Sequence, residues 1–311
     1  MKNLIKVLAI SLGLFLLLSP SDSYGQQDAE YTQYMFNSLV LNPAYTGSRG
    51  VISTNALYRN QWTGIDGAPE TVSFSIHGPL RDSNSALGLW IENDEIGAHK
   101  QLRLYGSYAY HIPMDNGAKL SLGLQAGIRN FSFDIAGNGS LLGDQQFVQV
   151  ANAGNQLLPN IGAGAWYYTK TFYAGISAPH LLQSYIYEDG GTDFYREINH
   201  YFLTAGVVLP LTDNVKFKPT ALLKIVKNAP VELDLTAHFL INEMLWLGAA
   251  WRSNDSIDFL GEIQLSPQLR AGYAYDLTTS ELRNHTSGTH EVMLGYDFCF
   301  KRNQIVTPRY F

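Results

Sequence analysis

The chain has 311 residues, of which 46% are hydrophobic and 13% aromatic, with a formal net charge of −6. That mild acidity argues against nucleic acid as a partner, and a single cysteine, Cys299, excludes a framework of intramolecular disulfides. Charged residues make up only 15% of the chain, against about 25% in soluble domains, so something other than water is expected to cover part of the outside.

Residues 1–25 read as a cleavable secretory leader. Lys2 and Lys6 flank the start of an apolar run from Leu4 to Leu18, and small and polar residues follow to Gly25. Cleavage is expected near Gln26, where no cysteine offers a lipid anchor. Removing Lys2, Lys6 and Asp22 with the leader would leave 19 basic and 26 acidic side chains. After Leu18 no apolar stretch approaches the ~20 residues a transmembrane helix requires. The other structure that satisfies its backbone in lipid is a closed β-barrel.

Residues 26–50 precede the first strand and contain "NSLVLNPAYTGSRG", an apolar patch (Leu39, Val40, Leu41) joined to an Asn42-Pro43 turn and a Tyr45-Thr46-Gly47 stop. A free N-terminal arm is normally loose and polar. Two readings stay open for this segment: a plug held in the barrel lumen, or a periplasmic contact for a partner.

From residue 51 to 300 the chain reads as strands near 51–60, 69–78, 85–93, 100–112, 117–131, 160–169, 171–178, 198–209, 214–226, 229–241, 243–252, 256–265, 267–276 and 288–300. They are fourteen, and bacterial single-chain outer-membrane barrels have even strand numbers. "APVELDLTAHFLIN" shows the alternation: Val231, Leu233, Leu235, Ala237, Phe239 and Ile241 on one face, Glu232, Asp234, Thr236 and His238 on the other. Leu235→Arg, on the lipid face, is therefore expected to cost more than Thr236→Arg.

Counted from the first, the even connections are short, around 79–84, 113–116, Lys170, 210–213, Asn242 and Ser266. The long ones, around 132–159, 179–197 and 277–287, are all odd. That segregation is what short periplasmic turns and extended extracellular loops produce. Tyr58, Tyr110, Tyr167, Tyr168, Tyr173, Tyr201, Tyr273, Tyr275 and Tyr296 fall near segment ends and read as an interfacial girdle or as ordinary strand propensity.

The inward positions carry both signs: Glu92, Arg103, Arg129, Lys218, Lys224, Glu232, Asp234, Asp258, Glu262, Arg270, Glu291 and Asp297. An open selective channel favours a ring of one sign, whereas mixed charges pair with one another, which implies a packed or plugged lumen. The expected fold is all-β, a transmembrane outer-membrane barrel of about 14 antiparallel strands with both termini periplasmic. The tail, residues 301–311, reads as a periplasmic docking peptide, as a stopper folded back under the barrel, or, through Phe298 or Phe300, as the end of a strand signal read by assembly machinery.

Three stretches together, "QYMFNSLVLNPAYTGSRG", "YRNQWTGIDGAPETVSFSIHGPL" and "HEVMLGYDFCFKRNQIVTPRYF", closely resemble the PorP/SprF family of the type IX secretion and gliding machinery of Bacteroidetes. Phe36, Asn37, Asn42, Pro43, Ala44, Tyr45 and Gly47 carry the first motif. Arg59, Asn60, Gln61, Trp62, Gly64, Pro69 and Thr71 carry the second, and Pro308, Arg309, Tyr310 and Phe311 the third. The resemblance implies partners: outer-membrane lipid, adhesin-like cargo with C-terminal secretion domains, and periplasmic type IX components. Partner-binding or plug candidates are Phe36, Asn37, Asn42, Pro43, Tyr45, Gly47, Arg59, Gln61, Trp62, Pro308, Arg309, Tyr310 and Phe311. Arg59 and Gln61 are expected at the rim or in the lumen, and Trp62 in the headgroup region.

Catalysis is not expected, nor a cofactor or metal. The eight histidines form no HExxH or His/Cys metal spacing, "GISAP" around Ser177 is no GxSxG elbow, and "AGNGSLLGD" matches neither GxGxxG nor a P-loop. Glu291 and His238 would make an acid–base pair only if folding joined them. The alternative function is a gated transporter for hydrophobic or small solutes, because NPA alone is also similar to the plug region of long-chain fatty-acid transporters.

Overall fold

The computed structural model describes residues 29–81, 83–133, 156–183, 185–187, 193–196, 198–227, 229–298 and 310. The leader therefore lies outside the described residues, as do Cys299 and most of the tail. Fourteen strands build the wall: β1 (Ile52–Asn60), β2 (Glu70–Pro79), β3 (Ser85–Ile96), β4 (His99–Pro113), β5 (Lys119–Phe133), β6 (Gln156–Tyr168) and β7 (Phe172–Ala178). They continue as β8 (His200–Val207, resumed at Leu209–Pro210), β9 (Val215–Val226), β10 (Glu232–Ile241), β11 (Leu245–Arg252), β12 (Ser256–Gln264), β13 (Leu269–Thr278) and β14 (Thr289–Phe298).

Every neighbouring pair is antiparallel, and the sheet closes on itself. Arg59 of β1 faces Glu291 of β14, and Phe202 of β8 faces both Ser177 of β7 and Lys224 of β9. Closure leaves no sheet edge for lipid to meet. The break in β8 falls beside Pro219 of β9, whose neighbours Thr220 and Lys218 flank the pairing frame; proline has no N–H to give to a ladder.

The period-two pattern decides which face meets hydrocarbon. Leu235, Phe239, Ile257, Phe259, Leu122, Leu124, Val292 and Leu294 are all exposed, while Asp234, Thr236, His238, Asp258, Gln125 and Glu291 between them are buried. An exposed apolar belt on a water-soluble protein would drive association; on a barrel it is the surface that lipid covers.

The connections segregate as their lengths predict. Those between β5 and β6, β7 and β8, and β13 and β14 gather at one rim, the long-connection rim, which also carries the short β3–β4 and β11–β12 turns; the even connections, all short, gather at the other, where β1 begins and β14 ends. The connection after β7 holds a small hairpin of its own, Tyr185–Tyr187 against Asp193–Arg196, which alternation did not signal. Two tyrosines depart from the expected girdle. Tyr173 is buried and stacks on Trp166 at 4.7 Å, and Tyr168 reaches the Nδ1 of buried His111 at 3.1 Å. Both stand on the inward parity of their strands, where proximity to a strand end says nothing about the face.

Candidate functional site

Residues 29–50 sit inside the barrel against inward side chains. Tyr31, Tyr34, Met35, Phe36, Leu39 and Tyr45 belong to the buried apolar cluster, together with Trp90, Trp166 and Trp246 from the wall. The segment runs lengthwise. Near the long-connection rim the Tyr31 hydroxyl meets Glu92, and the backbone amides of Thr32 and Gln33 donate to Glu291 at 2.9 and 2.8 Å. At the short-turn rim the Gly47 amide donates to Nδ1 of His77 at 2.9 Å, and Arg49 pairs with Asp297 at 3.0 Å.

The NPAY turn is fixed from within and from the wall. Asn42 caps a 3-10 turn (Pro43–Tyr45), its Oδ1 accepting from the Ala44 amide at 2.9 Å, with proline at the first position where a missing N–H costs nothing. Its Nδ2 donates to the carbonyls of Ala165 and Ile176 at 3.1 and 3.3 Å, and Ser177 Oγ donates to the Leu41 carbonyl at 2.7 Å. The wall makes room by omitting side chains: a β-carbon on Gly123 would overlap the Ala44 backbone, and one on Gly164 would overlap the Asn42 side chain. Gly47 has φ +75, the left-handed backbone that glycine adopts without strain.

The other motif residues join this core unevenly. Asn37 accepts from Ser75 Oγ at 2.9 Å. Phe36 lies against His238 and Trp246, with ring centroids at 5.7 and 6.3 Å. Arg59 is lumenal and buried, pairing with Asp276 at 2.9 Å and Glu291 at 3.1 Å. Gln61 is buried at the end of β1. Trp62 follows in the β1–β2 connection with φ 51, its amide donating to Thr289 Oγ1 at 3.1 Å. Tyr310 reaches back to β9: Lys216 meets its hydroxyl and Lys218 donates to its carbonyl at 2.5 Å. Lys218 is itself caged by Phe36, Trp246 and Tyr173, 5.4, 5.4 and 6.0 Å from their centroids. Pro308, Arg309 and Phe311 lie outside the described residues.

Beyond the motifs, sequence reading missed Glu30, Arg49, Arg252 and Asp276. Arg252 approaches Glu30, Glu232, Asp234, Asp255, Asp258 and Asp276 within 3.2 to 4.0 Å. Its position at the end of β11, on the same parity as buried Trp246 and Ala250, was the available signal. Glu30 also pairs with Lys224 at 3.1 Å. Burial alone would raise the Glu30 carboxyl, but Lys224, Arg252 and Arg59 outweigh it and bring it down to about 2. Glu291 is occupied by Arg59 and the two amides, and His238 packs on aromatic rings, so the two do not form an acid–base pair. Among the described residues no group of three or more His, Cys, Asp or Glu is arranged to hold a metal ion.

A family model described as "Type IX secretion system membrane protein PorP/SprF" matches residues 23–296. Among solved structures, a CymD monoaromatic hydrocarbon channel is 14% identical, with 88% of this chain and 95% of that one covered, at a TM-score of 0.48. A bacterial polysaccharide outer membrane secretin is 10% identical over 81% of this chain and 99% of its own, at a TM-score of 0.46. The NanC porin is 10% identical, with coverages of 80% and 100% and a TM-score of 0.41. No curated protein matches the sequence.

Proposed function

The chain belongs to the PorP/SprF family of type IX secretion system membrane proteins, and from that premise we propose that this outer-membrane barrel is a docking and assembly platform for secreted surface proteins and the periplasmic machinery. The observation that carries the reading is the filled lumen: a wall whose inner face packs against the chain's own residues 29–50 is built to stay closed. A platform needs a fixed surface more than a passage. The short turns face the periplasm, following the rule for single-chain barrels, and the long connections face outward.

Two surfaces are then available on the periplasmic side. One is the short-turn rim with the NPAY turn behind it, the other the tail around Tyr310, held by Lys216 and Lys218. Tail capture by a partner resembles other recognition of short terminal segments. The cargo is adhesin-like protein carrying a C-terminal secretion domain, as the family resemblance implies, and the lipid partner is the outer membrane itself. The expected test result is loss of surface adhesins, with normal barrel insertion, when residues 308–311 are deleted or Asn42 and Tyr45 are replaced by alanine. Normal display in all these variants would reject the platform role. Solute flux through purified barrels in liposomes would instead favour the gated transporter.

A further inference from the structure

Where the lumen segment meets β8 to β11 near the long-connection rim, a cavity of about 30 Å³ remains, with Glu30, Lys224, Glu232, Asp234 and Arg252 in its lining. That volume admits a body the size of one or two water molecules. Acceptors outnumber donors around it. Arg252 is approached by the carboxylates of Glu30, Glu232, Asp234, Asp255, Asp258 and Asp276, which bring more oxygens than the N–H groups of one guanidinium can serve. Lys224 is divided between Glu30 and Glu232, at 3.1 and 3.7 Å. These ion pairs leave an excess of negative charge among the described residues.

A second observation is independent of the charges. The Asp234 side chain is only 6% exposed, and its Oδ2 lies 3.3 Å from Nε of Arg252, yet its Oδ1 is buried without a hydrogen-bond partner. Oδ1 of Asp258, two strands away on β12, is bare as well. A carboxylate oxygen in such a place is costly until a donor or a cation reaches it.

We propose that the cavity is a binding site for a monovalent cation of about water size, sodium or potassium, with Oδ1 of Asp234 as its carboxylate ligand. Glu30 and Glu232, both engaged by Lys224, supply the negative surroundings. A water molecule would give Asp234 a hydrogen bond and leave the charge excess in place; a cation answers both. Calcium fits worse, because it takes many oxygen ligands and the described residues do not bring three or more acidic side chains into one metal-holding arrangement. The Glu232 side chain is 25% exposed, so the network reaches water and the ion can exchange with the medium. Bound there, it holds Glu30 of the lumen segment beside Asp234 of β10, carboxylates that repel each other without it. The site is independent of the proposed platform role.

The test uses the full chain purified from outer membranes in detergent, with thermal unfolding followed in sodium, potassium or N-methylglucamine chloride at one ionic strength. N-methylglucamine screens charge equally and is too large for the cavity. The midpoint is expected about 2–4 °C higher in sodium or potassium, with a plateau as the concentration rises. Asp234→Asn, which removes the charge and keeps the shape, is expected to abolish the difference. Equal midpoints of the unaltered chain in all three salts overturn the proposal, and so does a difference that survives in Asp234→Asn. Should Asp234→Asn fail to insert, Glu232→Gln at the exposed edge of the cavity is read instead. The cation concentration at half effect is then expected to rise by about threefold, and an unchanged value sinks the proposal.

Discussion

The side chain of Asn42 occupies the space that a β-carbon on Gly164 would fill, so the lumen segment and β6 are fitted to each other atom by atom. Gly164→Val is expected to expel or shift the NPAY turn while leaving the outer face of the strand unchanged. Overpacking of this kind costs about 1–3 kcal/mol. The barrel should still insert, and residues 29–50 should become sensitive to protease added to purified protein. Unchanged protease resistance would show that the fit is not needed.

Asn42→Ala removes the cap on the Ala44 amide and the two donors to Ala165 and Ile176. Loss of an N-cap costs about 1 kcal/mol, and carbonyls left bare in a buried site add about 1–3 kcal/mol. The expected result is a lower denaturation midpoint in detergent, with Asn42→Asp no better tolerated than Asn42→Ala: the cap to Ala44 is kept, but a carboxylate oxygen that cannot donate then faces the Ala165 and Ile176 carbonyls in a buried site.

Arg59 is the counter-charge for two buried carboxylates, Asp276 and Glu291. Truncating one partner of a buried pair costs about 3–5 kcal/mol because the remaining charge is stranded. Arg59→Ala should therefore rank among the most destabilising single changes in the protein, and Arg59→Ala with Glu291→Gln should recover part of the loss. A double-mutant cycle on thermal unfolding measures the coupling.

Leu235→Arg places a charge on the lipid face and is expected to cost about 2–4 kcal/mol. Alternation alone favours Thr236→Arg as the milder change, but Thr236 is buried at 4% exposure against a lumen already filled by residues 29–50. Its arginine must displace that segment. The two variants are expected to be similarly destabilised in the full chain, and only Thr236→Arg should be relieved when residues 29–50 are deleted. Folding assays in lipid vesicles separate the cases.

The Glu30 carboxyl lies well below its ordinary range, at about 2. A group depressed on folding adds stability above its unfolded value of 4.5, and that stability is lost as pH falls through the folded value. Stability should thus decline with acid between about 4.5 and 2, and Glu30→Gln should make that slope shallower. An unaltered slope would mean that other carboxylates carry the acid response.

The wall was legible because its rule is local. Leu233, Asp234 and Leu235 declare their faces by position alone, and such triplets recur until the strand count follows. Pairing of the mixed inward charges was also within reach, since Glu92 and Arg103 face each other at 2.8 Å on adjacent strands. Arg252 as a hub was not, because its carboxylates come from the N-terminal segment, the β11–β12 connection and three other strands. Tyr168 and Tyr173 were misplaced for a simpler reason: parity, and not distance from a turn, sets the side they occupy. The lumen packing of Asn42, Pro43 and Ala44 depends on glycines far away in sequence, and no spacing rule links Gly123 to Ala44.

Glu291 receives the amides of Thr32 and Gln33 across sequence separations of 259 and 258 residues. Contacts between such distant parts of a chain slow folding, because a long loop is ordered before they repay the entropy. The N-terminal segment must wait for the last strand before it can settle. Until that seam forms, an apolar arm and an incomplete sheet coexist, the state in which this chain is most prone to aggregate, and closing the ring and seating the arm become a single late event.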